Sequence, residues 1–582
     1  MRGIPFGVAV VAVGLYFVGL GAAPFVDPPE GLHAEAARQM TELGDWITPR
    51  VDGVRSLDRP PLLYWLLSGS FAVAGTTPAA GRFWSALAAV GVAAVTARLG
   101  VILGGARAGF LAGLMVAANL GMFLCGRIVK PDLVFVLWLT LAWAGFAITY
   151  RGGGRRGLAL FYAALGLAAM TKDLLGALGP LVVVAMFFWL TGERPLTLWV
   201  PWWGVLLLVA TALPWYVLVE AESRGFLRYT LVESRVLSGA GPRVFPDEDA
   251  SLGSIEFLVI TLLAFLPWAL ALPWALWRAF RRPWEDATAR LWLLFALWAV
   301  FVVGLFTASP FKLPHHGLPA FPALALLVAR VWDETIDATP GSARPRALLG
   351  PVLVLFALAT LTFMAVWSGV ARIPSDVLAA LDVTTRGLAA RSPGASGVPP
   401  DAWRPLLMRG AVIFGLGTVA MAVALWRQAP ALGVGVALAT TIAFLPTVAA
   451  EGRAQLVRAR SVRPLAVTLA EHVRPGDVVL HEGAIENSAS ALLVLPQRIG
   501  IVNGLPSTLA FGATFPEARD VFWDVPRLQA AWSGPARLFL LSAVDPRRSV
   551  VRALPPERVH LIGESGGRRL YSNLADPRAS VR

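Results

Sequence analysis

Runs of about 20 apolar residues recur along this 582-residue chain, and they constrain its fold more than any other feature. An α-helix of that length matches the hydrocarbon thickness of a membrane. We therefore predict a polytopic α-helical membrane protein with about 13 transmembrane helices. The runs lie at 4–25, 81–104, 108–126, 132–150, 157–171, 174–191, 198–219, 253–277, 290–308, 314–333, 347–369, 407–427 and 429–450.

The composition agrees with a surface that faces lipid. Only 15% of the residues are charged and 56% are hydrophobic, which is too few charges to cover a soluble protein of this size. The net charge of +13 comes almost entirely from arginines that lie between the apolar runs. Such charges indicate membrane topology and contact with anionic lipids, so we expect membrane lipids and no nucleic acid as partners.

Arginines on alternate short loops predict the orientation of the chain, because such loops favour the cytoplasm. The first apolar run is longer than the core of a signal peptide, so we expect it to be retained as a span. We therefore expect a cytoplasmic N-terminus, and we expect the inner (plasma) membrane as the location. The arginines in question are Arg2, Arg98, Arg107, Arg151, Arg155, Arg156, Arg278, Arg281, Arg282, Arg290, Arg344 and Arg346.

The same orientation divides the chain into two domains. A transmembrane domain covers 1–450, with a first outer loop at 26–80 that contains interfacial helices and a large outer loop at 220–252. The polar tail, 451–582, has short β-like runs at 477–482, 498–503, 537–543 and 558–562. About 130 residues suffice for a small domain, so we predict a C-terminal extracytoplasmic α/β domain there.

Acidic and basic side chains gather on the predicted outer face, first of all in the first outer loop. Carboxylates just outside a membrane can act as a base or bind a divalent cation, and a guanidinium can bind phosphate oxygens. The loop reads Asp-Pro-Pro-Glu over 27–30, then Ala-Ala-Arg-Gln-Met over 36–40, Gly-Asp-Trp over 44–46 and Asp-Arg-Pro-Pro-Leu over 58–62.

This loop resembles that of the C-type-fold glycosyltransferases that use polyprenyl-phosphate sugars. Their branch contains protein O-mannosyltransferases and the aminoarabinose transferase of lipid A. Further segments are similar to the same family, in the same order along the chain. They are Arg127 to Asp132, Met170-Thr171-Lys172, Pro214-Trp215-Tyr216 and Lys312-Leu313-Pro314 with the residues that follow.

The resemblance implies a membrane glycosyltransferase, transferring a hexosyl or pentosyl group from a polyprenyl-phosphate donor to a lipid, glycan or protein acceptor. It implies two groups of site residues. The acceptor side would use Asp27 or Glu30, together with Asp132. The phosphate of the donor would contact Arg59, Lys172 and Lys312.

The sequence departs from the family pattern at three places. Pro29 stands where the family has an aspartate, so Asp27 or Glu30 would have to replace it. The Glu-Lys pair of the family is Asp58-Arg59 here, and a Glu-His pair is Glu233-Ser234. A divalent metal ion is a further expectation, and its candidate ligands are Asp58, Glu233, His315 and His316.

Two other functions stay open at this point. A lipid or sugar transporter (or flippase) would carry charges midway through spans and paired repeats, and the sequence has neither pattern. A non-catalytic relative would explain Pro29, but the acids at 27, 30 and 132 remain in place.

Overall fold

The computed structural model describes residues 3–172, 174–193, 196–230, 252–339, 342–372, 400–505 and 507–575. Helices dominate up to residue 472, and a mixed sheet follows. The α-helices of this first part are Gly3–Phe17, Pro29–Leu43, Leu62–Ala74, Pro78–Ala117, Leu120–Cys125, Asp132–Ile148, Gly154–Thr171, Leu174–Thr191, Leu196–Trp199, Trp202–Glu222, Phe226–Arg228, Ser254–Ala264, Leu272–Phe280, Ala287–Ala308, Phe321–Ile336, Arg344–Trp367, Arg404–Trp426, Pro430–Thr447, Arg453–Arg460 and Arg463–His472.

Seven helical stretches in the described ranges are long and apolar enough to cross a membrane, or eight if one bent pair is a single crossing. That pair, Ser254–Ala264 and Trp268–Phe280, bends by 107°. Two of the seven stretches, Pro78–Ala117 and Asp132–Thr171, are 40 residues long, about twice what a bilayer requires. The number of stretches is therefore smaller than the number of predicted runs.

Each long stretch contains a break at which the chain reverses. Gly105 has φ 91°, which a side chain at this position would disfavour. Beyond it the helix returns along itself, so that a Cβ on Gly100 would lie 2.6 Å from the Cα of Gly109. In the second stretch, non-helical backbone at 151–152 separates Asp132–Ile148 from Gly154–Thr171. Both stretches are helical hairpins, as the predicted runs on either side of 105 and 152 require.

The first outer loop folds into two helices and a small hairpin. Helix Pro29–Leu43 buries most of its residues, and helix Leu62–Ala74, at 13 residues, is too short to cross a bilayer. Strands β1 (Arg50–Val51) and β2 (Val54–Arg55) pair antiparallel between them. The loop thus forms a packed layer, and its helix Leu62–Ala74 contacts both long helical stretches.

The C-terminal part contains six strands: β3 (Val478–Glu482), β4 (Gly500–Val502), β5 (Phe522–Trp523), β6 (Leu538–Ser542), β7 (His560–Ser565) and β8 (Arg568–Ser572). They form one sheet in the order β5-β4-β3-β6-β8-β7. The pairs from β5 to β6 are parallel, whereas β8 pairs antiparallel with both β6 and β7. Helix Val525–Trp532 leads from β5 to β6, and short helical turns occupy Ile485–Leu493, Gly512–Thr514, Pro516–Ala518, Val550–Ala553 and Pro556–Arg558.

The segments that follow β3 and β4 pack directly on the first outer loop. Helix Pro29–Leu43 lies against Ile485–Leu493, and the two share an apolar cluster. The approach is so close that a Cβ on Gly31 would lie 2.2 Å from the backbone nitrogen of Ser490. Arg55 reaches the same side of the sheet, where its guanidinium pairs with Glu517 at 2.6 Å and stacks on Phe515. The carboxyl edge of the parallel strands therefore faces the membrane part of the chain.

Candidate functional site

A cavity of about 380 Å³ lies where the helices, the first outer loop and the C-terminal sheet meet. Its wall has two chemically different parts. Apolar side chains line the part between the helices: Leu120, Leu124, Ile128, Ile260, Leu263, Ala264, Leu313, Leu318 and Phe321. Ionisable and polar side chains line the part under the loop and the sheet: Ser56, Asp58, Arg59, Tyr64, His33, Lys130, Asp132, His315, Arg460, Glu486 and Thr508.

Of the three acids predicted for the acceptor side, Asp132 is the one that lines the cavity. It is the first residue of helix Asp132–Ile148, where the helix dipole favours a negative charge. Lys172 donates to its Oδ1 at 2.6 Å, and His315 Nε2 lies 3.8 Å from the same oxygen. Three separate segments therefore meet at one carboxylate, as expected if their loops share the outer face.

Arg59, which was predicted to bind the donor phosphate, also lines the cavity, with Asp58 beside it at 3.7 Å. Two further cations join it there. Lys130 precedes Asp132 in sequence, and Arg460 ends helix Arg453–Arg460, which leads into the C-terminal sheet. Arg460 has only 6% of its surface exposed, so this guanidinium is held close to the cavity rather than in solvent.

The two other predicted phosphate ligands have different surroundings. Lys172 pairs with Asp132 and does not belong to the cavity wall. Lys312 is 4% exposed and donates to the hydroxyl of Ser254 at 2.9 Å and to the carbonyl of Thr307 at 3.1 Å. Lys312 thereby connects helix Ser254–Ala264 with helix Ala287–Ala308. It does not belong to the cavity wall.

Glu30 points away from the cavity. Its carboxylate is fully buried and forms a two-pronged ion pair with Arg82, with distances of 2.7 and 2.6 Å. It also accepts the backbone N–H groups of Val26 at 2.9 Å and Val129 at 3.1 Å. With both oxygens occupied in this way, the carboxylate holds the start of its helix in place. The sequence could not reveal this, because Arg82 comes from a different helix.

Asp27 is fully buried as well, and it joins the loop to the C-terminal part. Its Oδ1 accepts the backbone N–H of Ser490 at 2.9 Å, and its Oδ2 accepts the hydroxyl of the same residue. Burial raises the pKa of Asp27 to about 6, although Arg568 and the hydrogen bonds from Ser490 lower it. Neither Asp27 nor Glu30 lines the cavity, whereas Pro29 between them does.

The predicted metal ligands are not brought together as a group. No set of three or more His, Cys, Asp and Glu side chains is arranged to hold a metal within the described ranges, and Glu233 lies outside them. His316 Nδ1 accepts the backbone N–H of Leu313 at 3.3 Å, and its ring packs on Phe306. The metal ion accordingly stays a prediction, with His315 and Asp58 in the cavity wall.

Seven polar groups in the cavity wall were not predicted as site residues: Arg460, Glu486, Thr508, His33, Ser56, Tyr64 and Lys130. The first three belong to the tail, which carries no motif that would have drawn attention to them. His33 is 7% exposed and its ring lies 5.7 Å from that of Tyr64. Burial, helped by Arg59 and Lys130 nearby, lowers the pKa of His33 to about 3, so the imidazole is neutral.

Known proteins resemble this chain over parts of its sequence. Residues 58–217 match the family of dolichyl-phosphate-mannose-protein mannosyltransferases. An undecaprenyl phosphate-α-4-amino-4-deoxy-L-arabinose arabinosyl transferase from Edwardsiella ictaluri (strain 93-146) is 31% identical over 56% of this chain and 58% of its own length. The enzyme of the same name from Aeromonas salmonicida (strain A449) is 29% identical over 60% of this chain and 64% of its own length. The matches thus span less than two thirds of these relatives.

Solved structures resemble the chain over nearly its whole length. The crystal structure of ArnT from Cupriavidus metallidurans bound to undecaprenyl phosphate has a TM-score of 0.78 and 22% identity, and covers 98% of both chains. The apo form gives a TM-score of 0.79 over 99% of both chains. The chain therefore has the fold of that membrane protein. Together the matches confirm the resemblance to the C-type-fold, polyprenyl-phosphate-sugar glycosyltransferases, on the aminoarabinose-transferase side.

Proposed function

We propose that this chain is an integral membrane glycosyltransferase that takes a sugar from a polyprenyl-phosphate donor and passes it to a lipid, glycan or protein acceptor. The observation that carries the proposal is the two-part cavity, in which apolar helices meet a rim of cations and acids. A polyprenyl-phosphate sugar has the same division, since a hydrocarbon chain ends in a charged phosphate and a polar ring. The named arabinosyl transferases favour a pentosyl donor.

The apolar wall suits the prenyl chain. Leu124 and Leu263 belong to helices of the membrane part, and Ile128 lies in the turn that follows helix Leu120–Cys125. Burying a hydrocarbon chain between them gains about 25 cal/mol for each Å² of apolar surface that leaves water. The chain would enter from the lipid, and its phosphate would stop at the polar rim.

The phosphate would be bound by Arg59, Lys130 and Arg460. Guanidinium groups contact phosphate oxygens in pairs, and each charge-assisted hydrogen bond contributes about 1.5–3 kcal/mol when water is excluded. Cationic contacts of this kind stabilise the leaving phosphate as the bond to the sugar breaks. In this proposal Lys172 acts through Asp132, whose carboxylate it positions next to His315. Lys312 holds the neighbouring helices together.

The reaction is a displacement at the anomeric carbon. The bond between that carbon and the phosphate oxygen breaks, its electron pair stays on the polyprenyl phosphate, and an acceptor oxygen forms the new bond. The acceptor must lose a proton to a nearby base. Asp27 and Glu30 do not line the cavity, so we assign them to holding the first outer loop; Asp132, fixed by Lys172, orients the groups at the rim.

We further propose that the chain crosses the inner membrane thirteen times, with the N-terminus in the cytoplasm and the C-terminal domain outside. The breaks at 105 and 152 support this number, because each divides a 40-residue stretch into two crossings. The cavity rim, the first outer loop and the C-terminal sheet would then share the outer face. Cysteine labelling of Arg155→Cys and Glu471→Cys variants in intact cells, with an impermeant reagent, tests the two sides.

The second candidate is a non-catalytic relative that binds a polyprenyl phosphate without transfer. Pro29 favours it, because a proline lines the cavity where the resembling family has an aspartate. The two functions differ in one measurement. Proteoliposomes holding the purified protein, a labelled undecaprenyl-phosphate aminoarabinose donor and lipid A as probe acceptor should release undecaprenyl phosphate and label lipid A. Binding of the donor without its consumption would instead establish the non-catalytic relative.

A further inference from the structure

Glu486 differs from the other acids near the cavity in how its carboxylate is bound. It lies at the start of Ile485–Leu493 and has only 5% of its surface exposed. Its Oε1 accepts the backbone N–H of Thr508 at 2.6 Å and the Thr508 hydroxyl at 2.5 Å. Its Oε2 is buried and has no hydrogen-bond partner within the described residues. A buried carboxylate oxygen without a partner is costly. Because Glu486 belongs to the cavity wall, a molecule bound in the cavity is a candidate partner for this oxygen.

The position of Glu486 in the sheet supports the same conclusion. It follows the carboxyl end of β3, and Thr508 follows that of β4. Strand β3 lies between β4, the next strand in sequence, and β6, so the order of the parallel strands reverses beside it. Ligands of parallel sheets bind at such a point, outside the carboxyl ends of the strands. Here that edge forms part of the cavity wall rather than an open surface.

Other acids near the cavity are less suited to take up a proton. The Asp132 carboxylate has Lys172 at 2.6 Å, which favours its charged form. The Asp58 carboxylate forms an ion pair with Arg59 at 3.7 Å. Both oxygens of Asp27 accept from Ser490, and Glu30 is paired with Arg82.

Burial raises the pKa of Glu486, and the nearby Asp58 charge adds to this while the bonds from Thr508 oppose it. A raised pKa makes a carboxylate a stronger base near neutral pH.

We infer that Glu486 is the catalytic base on the acceptor side of the cavity, a role that rests on the glycosyl transfer proposed above. As the acceptor oxygen attacks the anomeric carbon, its O–H bond breaks and the proton moves to Glu486 Oε2. The electron pair of the breaking carbon–oxygen bond stays on the polyprenyl phosphate. Glu486 is then a neutral acid and returns its proton to solvent once the product leaves. Thr508 is a positioning residue, because it fixes Oε1 and so directs Oε2.

The test compares full-length wild type with Glu486→Gln in proteoliposomes, using the labelled aminoarabinose donor and lipid A as probes. The amide keeps the shape of the side chain and its acceptor oxygen for Thr508. We expect kcat to fall by about 10²–10⁴-fold, as for loss of a general base, with undecaprenyl phosphate binding and the melting temperature unchanged. Glu471→Gln is the matched control, since Glu471 is an exposed acid of the same domain and does not line the cavity.

The pH profile provides a second readout that a merely structural role would not move. The acidic limb of kcat should disappear in Glu486→Gln, and it should shift to lower pH in Asp58→Asn, which removes a negative charge near Glu486. Thr508→Val should lower kcat with little change in donor KM. The other ionisable groups that line the same cavity are His33, Arg59, Tyr64, Cys125, Lys130, Asp132, His315 and Arg460.

The outcomes separate the base role from the proposed function. If wild type consumes no donor, the glycosyl transfer fails and the inference with it. If wild type is active and Glu486→Gln stays within twofold of it, only the base role is overturned. Loss of undecaprenyl phosphate binding or a lower melting temperature in Glu486→Gln also overturns the base role, with one exception. The base role stands if Glu486→Asp binds and melts like wild type and shows the acidic limb of kcat again.

Discussion

The carboxylate of Asp27 accepts both the backbone N–H and the hydroxyl of Ser490, a residue 463 positions later in the chain. The bonds join the first outer loop to the segment that follows β3. That segment also carries Glu486, so the contact holds this part of the cavity wall against the first outer loop. The geometry of the polar rim depends on this connection between distant parts of the chain.

Replacing Asp27 should therefore loosen the C-terminal part rather than abolish chemistry directly. Asp27→Ala leaves the buried N–H and hydroxyl of Ser490 without their acceptor, which costs about 1–3 kcal/mol. We expect faster proteolysis near residue 490 and a lower melting temperature, with Ser490→Ala giving a smaller change of the same kind. A stable variant with no activity would contradict this role and make Asp27 a catalytic group.

The buried pair of Glu30 and Arg82 should behave as a unit. Removing one partner of such a pair leaves an uncompensated charge and costs about 3–5 kcal/mol. Glu30→Gln and Arg82→Gln should each lower the melting temperature, and the double variant should lose less than the sum of both. Thermal unfolding of the four proteins in detergent measures the coupling. Additive losses would show that the pair does not interact.

The three cations at the rim should each contribute to phosphate binding. Arg59→Ala, Lys130→Ala and Arg460→Ala should each weaken the affinity for undecaprenyl phosphate by about tenfold or more, since a charge-assisted bond is worth about 1.5–3 kcal/mol. Lys312→Met is the control, because Lys312 lies outside the cavity wall. Binding measured in nanodiscs distinguishes them. Equal affinities for Arg460→Ala and the control would remove the tail from the phosphate site.

Asp52 predicts a pH dependence of stability. It is 2% exposed, accepts the backbone N–H of Ile499, and burial raises its pKa to about 7. The folded state therefore holds the proton more tightly than the unfolded chain, whose aspartates titrate near about 4. This contribution is fully present below about pH 4 and is lost as the pH rises towards 7.

Asp52→Asn removes that titration but keeps an acceptor for Ile499. We expect the variant to melt a few degrees above wild type at pH 8, with the difference vanishing at pH 4. Other groups titrate in both proteins, so the difference between their melting curves isolates Asp52. Parallel pH dependences of the two melting temperatures would show that this carboxyl group is not buried between the first outer loop and the C-terminal part.

The sequence predicted which loops lie on the same face better than it predicted where individual side chains point. Alternating arginines assign Asp58, Arg59, Lys130, Asp132 and His315 to one face, and the structure brings them together. The four β-like runs of the tail overlap β3, β4, β6 and β7. Such features follow from local patterns of charge and hydrophobicity, which a single sequence contains.

What the sequence could not predict depends on contacts between distant segments. Glu30 is held by Arg82, 52 residues away, and its neighbour Pro29 faces the cavity instead. Glu486 reaches the site because the sheet packs on the first outer loop, and Arg460 reaches it because helix Arg453–Arg460 ends beside the cavity. No local pattern marks either residue, since an isolated acid or arginine in a polar tail is ordinarily solvated.

The most direct test of the donor site is a structure of the protein in nanodiscs with undecaprenyl phosphate added. We expect phosphate density within hydrogen-bond distance of Arg59, Lys130 and Arg460, with the prenyl chain running between Leu124 and Leu263. Phosphate bound at Lys312, or a prenyl chain elsewhere on the helices, would contradict the assignment of this cavity as the donor site.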